Sequence, residues 1–338
     1  MRIAIDAMGG DFAPREIVKG AVEAARGLSG VEKLFLVGDE TAIKAELSLY
    51  GKVPACIEIR HASEVIGMGD SPALALRRKK DSSIMRAVEM VKSGEADAIY
   101  SAGSTGAAVG ASMLRLRTME KVDRPAIATV MPSIKGPFVL LDAGATPDCT
   151  PKMLAEFAIM GSIYAEHIIN ITNPRVGLMS IGEEDSKGSK STKEAFQILE
   201  KTPLNFIGNV ESHDMFEGKV DVVVCDGFVG NVVLKTSEGA AHAMIQWIKE
   251  SFSASLTRKI GAGILKAAGA FTELKKKTDA EAYGGAPLLG VKGICIIGHG
   301  SSSSVAVYNA IRVAGTAIDQ KLNHLIEEKI NEVFRDSE

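Results

Sequence analysis

Short apolar runs rich in Val and Ile alternate along the chain with longer stretches in which apolar residues recur every three to four positions. The runs read as strands buried on both faces and the longer stretches as amphipathic helices. Strands are expected at Arg2–Asp6, Lys33–Val37, Ile57–His61, Ala98–Ser101, Ala126–Val130, Phe138–Asp142, Arg175–Ser180, Asn205–Val210, Val220–Cys225 and Gly293–Ile297. Helices are expected near Pro14–Gly27, Thr41–Tyr50, Ser83–Ser93, Thr105–Leu116, Lys152–Asn170, Lys190–Thr202, Gly230–Phe252 and Ser303–Glu332. This alternation predicts an α/β fold, a doubly wound three-layer αβα arrangement with a mostly parallel sheet. The 338 residues read as a single intertwined unit. A lobe boundary is placed near 146–151, and one sheet shared by two lobes fits equally well.

Composition narrows the function. A net charge of −3 and 5% aromatic residues disfavour a phosphodiester-coating or base-stacking surface, so no nucleic acid is expected. Cys56, Cys149, Cys225 and Cys295 are scattered without a C-x-x-C pair, against a zinc site or redox dithiol, and no metal or cofactor is expected. The strand pattern begins at Met1, which leaves no room for a signal peptide, and no window is apolar for a full membrane span.

The 34 glycines exceed ordinary usage and gather at strand ends, where ligands bind in such sheets. Asp6-Ala7-Met8-Gly9-Gly10-Asp11 precedes a helix, and a plain turn explains that glycine pair about as well as binding does. Ser101-Ala102-Gly103-Ser104-Thr105-Gly106 opens a helix of small residues, where free amides and hydroxyls suit a phosphate or other anion. Gly298-His299-Gly300-Ser301 is a second such nest. Neither G-x-x-x-x-G-K-[ST] nor G-x-G-x-x-G fits, so no nucleotide motif is present. Ser180 through Gly188 sets three acids and Lys187 after a strand, a cluster that solvated loop charge also explains. Cys225-Asp226-Gly227-Phe228-Val229-Gly230-Asn231 opens another helix, with Asp226 and Asn231 as caps or ligand contacts. No Ser-His-Asp spacing appears. The loops point to binding of an anion and a polar substrate without a covalent nucleophile.

These motifs resemble the phosphate acyltransferases of bacterial phospholipid synthesis. The resemblance runs through Ile5–Pro14, Ser101–Gly106, Gly182–Gly188, Phe206–Glu211, Cys225–Thr236, Gly284–Gly290 and Gly298–Ser301, nearly the whole chain. It implies a fold similar to phosphotransacetylases and isocitrate or isopropylmalate dehydrogenases, without the dinucleotide or metal of the latter. It implies reversible transfer of a long-chain acyl group from acyl-acyl carrier protein to inorganic phosphate. The acyl phosphate would feed a membrane-bound glycerol-3-phosphate acyltransferase.

Lys187 and Asn231 match the positions implicated in the family's active site. Phosphate is expected against Ser104, Thr105 and Gly106, with Gly300 and Ser301 as the competing nest and Asp6, Gly9, Gly10 and Asp226 as further contacts. Arg77-Arg78-Lys79-Lys80 offers a cationic dock for an acidic carrier protein, or a solvated surface run. Over 248–277, Ile260, Ile264 and Leu265 belong to an apolar stripe flanked by lysines. It suits a core, a homodimer interface or an anionic membrane surface. The family's location would be cytoplasmic, peripherally held at the inner face of the cell membrane.

Overall fold

The computed structural model describes residues 1–269 and 283–334. The strands are β1 (Arg2–Asp6), β2 (Lys33–Gly38), β3 (Ile57–His61), β4 (Ala98–Ser101), β5 (Ala126–Ile127), β6 (Thr129–Ser133), β7 (Gly136–Leu141), β8 (Val176–Met179), β9 (Phe206–Val210), β10 (Val222–Val224), β11 (Ala286–Leu289) and β12 (Ile294–Ile297). The helices are α1 (Arg15–Gly27), α2 (Glu40–Leu47), α3 (Pro72–Arg78), α4 (Ser83–Lys92), α5 (Thr105–Arg115), α6 (Pro151–His167), α7 (Lys190–Leu199), α8 (Ser212–Glu217), α9 (Gly227–Ser253), α10 (Leu256–Ala267), α11 (Ser304–Asp319) and α12 (Leu322–Val333).

The strands form two sheets, ordered β3-β2-β1-β4-β12-β11-β5 and β6-β7-β10-β8-β9. All pairings are parallel except β11 with β12, β11 with β5, and β6 with β7. Strand alternation sorts the first sheet's side chains. Ile3, Ile5, Leu34 and Leu36 pack with Val18 and Ala21 of α1 and Val307 and Ile311 of α11. Ala4, Phe35, Val37 and Ile99 face Met85 and Val88 of α4 and Ala108 of α5. In the second sheet, Val139, Leu141, Val222 and Val224 meet α6 and α12, while Phe138, Leu140 and Val223 meet Met215 of α8 and Val229 and Val233 of α9. Both sheets are therefore covered on both faces, the αβα layering expected from the sequence.

Several elements differ from the sequence expectation. The single strand over Ala126–Val130 divides at Ala128, β5 joining the first sheet and β6 the second, so two sheets replace one. The single helix over Ser303–Glu332 breaks at Lys321, which adopts a left-handed φ of 52°. No Gly or Pro marks that break. β11, α3 and α8 are additional; β11 carries Pro287, a residue that argues against a strand interior. The helix expected from Gly230 begins at Gly227, because Asp226 accepts a hydrogen bond from Val229 N and caps α9.

Candidate functional site

The C-terminal ends of β1, β4 and β12, neighbours in the first sheet, bring three of the glycine loops together. Asp6 is buried at the end of β1, and Oδ2 accepts 2.7 Å from the Ser101 hydroxyl, which in turn accepts from Gly103 N at 3.1 Å. Burial pushes the Asp6 carboxyl above the usual carboxylate range, opposed by the hydroxyls of Ser83 and Ser101. A Cβ on Gly9 would stand 2.7 Å from both Asp6 Oδ2 and Gly103 N, so only glycine lets these loops approach so closely. Gly10 abuts the Gly300 carbonyl, which accepts from Asp11 N at 2.8 Å.

The two serine-bearing nests are then distinguishable. Ser104 caps α5 by backbone alone; its hydroxyl makes no cap bond, and Thr105 and Gly106 are exposed beside it. At α11 the corresponding positions are already engaged. Ser303 caps Ala306 N, Ser304 N donates to the Glu16 carboxylate at 3.0 Å, and Ser301 Oγ lies 2.7 Å from His299 Nδ1.

The second group lies at the ends of β7, β10 and β8, neighbours in the second sheet. Asp226 caps α9 through Oδ1, and Asn231 follows on the helix's exposed face. Asn231 rests beside Gly144 in the loop after β7; a Cβ there would lie 3.6 Å from Asn231 Cβ. Lys187 comes from the loop after β8, its N donating to the Glu184 carbonyl at 3.0 Å. That same carbonyl accepts from Asn209 Nδ2 of β9 at 2.8 Å, which pins the Lys187 loop to the sheet. The two groups share one packing core: Ala107 and Ala108 of α5 cluster with Ala143, and Ala145 and Leu234 pack against them.

Sequence reasoning gave no individual role to Ser101, Asn209 or Asp142, three buried polar residues that hold these loops. A recurring pattern was available to find Asp142: Asp142-Ala143-Gly144 follows a strand as Asp6-Ala7-Met8-Gly9 and Asp226-Gly227 do. Burial pushes the Cys149 thiol up to about 12 and raises that of Cys225 well above the usual thiol range, so neither thiol in this group is a ready nucleophile. Among the described residues, no cluster of three or more His, Cys, Asp or Glu is placed to hold a metal.

Elsewhere, Lys79 of the basic run is committed to Asp70, 2.6 Å away, and to the Val65 carbonyl, leaving Arg77, Arg78 and Lys80 exposed. Ile260, Ile264 and Leu265 are exposed on α10, as are Met244 and Trp247 on α9; the 270–277 part of that stripe lies outside the described residues. No helix among the described residues is long and apolar enough to cross a membrane.

Comparison with known proteins places the chain. The family described as fatty acid synthesis protein matches residues 1–325. Phosphate acyltransferase of Desulfitobacterium hafniense is 53% identical over 94% of this chain and 94% of its own length. That of Pelotomaculum thermopropionicum is 52% identical over 98% and 96%. Among solved structures, a phosphotransacetylase from Streptococcus pyogenes has a TM-score of 0.61 at 18% identity, covering 94% of each chain. A branched-chain phosphotransacylase from Enterococcus faecalis has 0.59 at 14% identity, covering 94% of this chain and 99% of its own. These two share the fold. The extent of the sequence match settles the family: the chain belongs to the fatty acid synthesis protein family of phosphate acyltransferases.

Proposed function

We propose that this enzyme transfers a long-chain acyl group from acyl-acyl carrier protein to inorganic phosphate, giving acyl phosphate for a membrane-bound glycerol-3-phosphate acyltransferase. The observation that carries the reading is an open helix N-terminus at Ser104 after a strand of the first sheet, with a cation, Lys187, in the loop after β8 and an amide, Asn231, in the first turns of α9 after the neighbouring β10. Phosphate sits against Ser104, Thr105 and Gly106, because at the rival loop the Ser301 hydroxyl already pairs with His299 and the Ser304 amide of the following helix with Glu16. Asp6, Gly9 and Gly10 order the neighbouring loop, and Asp226 serves through its cap on α9.

In the reaction a phosphate oxygen attacks the thioester carbonyl carbon. A C–O bond forms, the C–S bond breaks, and the carrier thiol leaves as thiolate. With a reference pKa near 8.5 that thiolate needs no strong general acid, so positioning and charge stabilisation carry most of the rate. Lys187 neutralises the charge that develops on the oxyanion or phosphate, and Asn231 donates its amide to the carbonyl or phosphate oxygen. Incubating the protein with phosphate and either long-chain acyl-acyl carrier protein or acyl-coenzyme A tests this. Acyl phosphate is expected from the carrier-protein donor; product from coenzyme A alone would overturn the reading.

The surfaces extend it. Arg77, Arg78 and Lys80 dock the acidic carrier protein, α9 pairs with a second copy to form a homodimer, and α10 lays Ile260, Ile264 and Leu265 on an anionic membrane from the cytoplasmic side. Arg77→Glu with Arg78→Glu is expected to raise the donor KM and flatten its salt dependence. Ile260→Asp with Ile264→Asp is expected to abolish flotation with anionic vesicles. Wild-type values in either case remove the corresponding surface.

A further inference from the structure

The loop after β7 contains a carboxylate that the reaction above leaves unused. Asp142 is fully buried and accepts hydrogen bonds from four backbone amides: Ile127 at 2.8 Å, Gly144 at 3.0 Å, Ala145 at 3.0 Å to each oxygen, and Thr146 at 2.6 Å. Three of these donors form the turn that follows it, and the fourth belongs to β5 of the other sheet. One side chain thus folds the 144–146 turn and ties it to the neighbouring sheet. With both oxygens so engaged, it has no reach to substrate.

The start of α9 is fitted against the same residue. A Cβ on Gly227 would lie 2.5 Å from Asp142 Oδ2, and one on Gly230 would overlap the Asp142 carbonyl oxygen. Cys225 Sγ donates to that carbonyl at 3.7 Å. The helix therefore seats its first turn on the Asp142 turn, and its next residue, Asn231, meets Gly144. An amide on an exposed helix face otherwise samples several rotamers. A fixed wall on one side restricts them, and small errors of aim at a reacting centre are expensive.

We propose that Asp142 is a positioning residue for acyl transfer, holding the 144–146 turn as the wall against which the Asn231 amide is aimed. This rests on the role given to Asn231 above. It differs from a purely structural role because its effect on turnover must pass through Asn231.

A double-mutant cycle separates the two. Asp142→Asn replaces an acceptor oxygen with an amide that faces backbone donors. It is expected to lower kcat by about 30-fold while leaving the phosphate KM within about 2-fold, since phosphate binds at the other sheet. In an Asn231→Ala background the same change should lower kcat by less than about 3-fold, whereas the shift in Tm stays the same in both backgrounds. Multiplying losses in kcat, with Asn231→Ala itself impaired, would overturn the positioning role and leave the reading of Asn231 standing. Wild-type turnover of Asn231→Ala would overturn both. Should Asp142→Asn not fold, Gly144→Ala keeps the carboxylate and strains the turn itself, whose φ of 136° at Gly144 disfavours a side chain, and so shifts the wall beside Asn231. Its loss of kcat should likewise vanish when Asn231 is Ala, and its persistence there would overturn the proposal.

Discussion

Asp6 at the end of β1 and Asp142 in the loop after β7 are both buried aspartates at the C-terminal ends of parallel strands, yet they hold different partners. Asp6 is met by a side-chain hydroxyl, Ser101, and stands among glycine loops packed backbone to backbone. Asp142 is met by backbone amides alone and stands beneath a helix that carries Asn231, with Lys187 from the adjoining strand's loop. The first region offers main-chain donors at the start of α5; the second offers side chains with charge and direction. An anion with three or four equivalent oxygens suits the former, and a carbonyl that becomes an oxyanion in one direction suits the latter.

The largest expected effect falls on the second region. Gly230→Ala drives a methyl into the Asp142 carbonyl and should destabilise the fold by about 3 kcal/mol, read as a fall in the denaturation midpoint. Gly239, in the same helix with nothing within 4 Å of an added Cβ, is its control. Gly239→Ala should be neutral or stabilise by up to about 1 kcal/mol. Equal losses at the two positions would mean that α9 is not seated on Asp142.

A smaller effect belongs to the first region. Burial raises the folded-state pKa of Asp6, so the folded protein binds that proton more tightly than the unfolded chain does. Stability contributed by Asp6 therefore falls as pH rises from about 4 through the raised folded value. Asp6→Asn removes this dependence. The Tm of the variant minus that of wild type should climb as pH rises above about 4. Asp81, held at about 2 by the Ser63 hydroxyl and amide and by Arg86, titrates alike in both proteins and cancels from the difference. A flat difference would show that Asp6 is not the buried group described.

The first region was more legible in the sequence than the second. Glycine pairs, serines and a following small-residue helix mark Gly9-Gly10 and Ser101–Gly106 directly, and the bounds of β1, β3 and β4 follow from their apolar runs. What the sequence hid was which nest is open, because Glu16 reaches Ser304 from a distant part of the chain. In the second region, Lys187 and Asn231 stood out through resemblance, but the tie from Asp142 to Ile127 and that from Asn209 to the Glu184 carbonyl join distant parts of the chain, which no local pattern displays. The split at Ala128 was hidden for a similar reason: β5 and β6 are nearly continuous in sequence, and only their pairing partners, β11 and β7, separate them.

The division between the two regions is tested most directly by acyl phosphate formation with phosphate varied, comparing Ser104→Ala with Lys187→Ala. Ser104→Ala is expected to raise the phosphate KM about 10-fold with kcat nearly unchanged, and Lys187→Ala to lower kcat about 100-fold with KM nearly unchanged. Identical changes in the two variants, or an unaltered phosphate KM for Ser104→Ala, would contradict a phosphate nest at α5 and a separate charge-stabilising group on the second sheet.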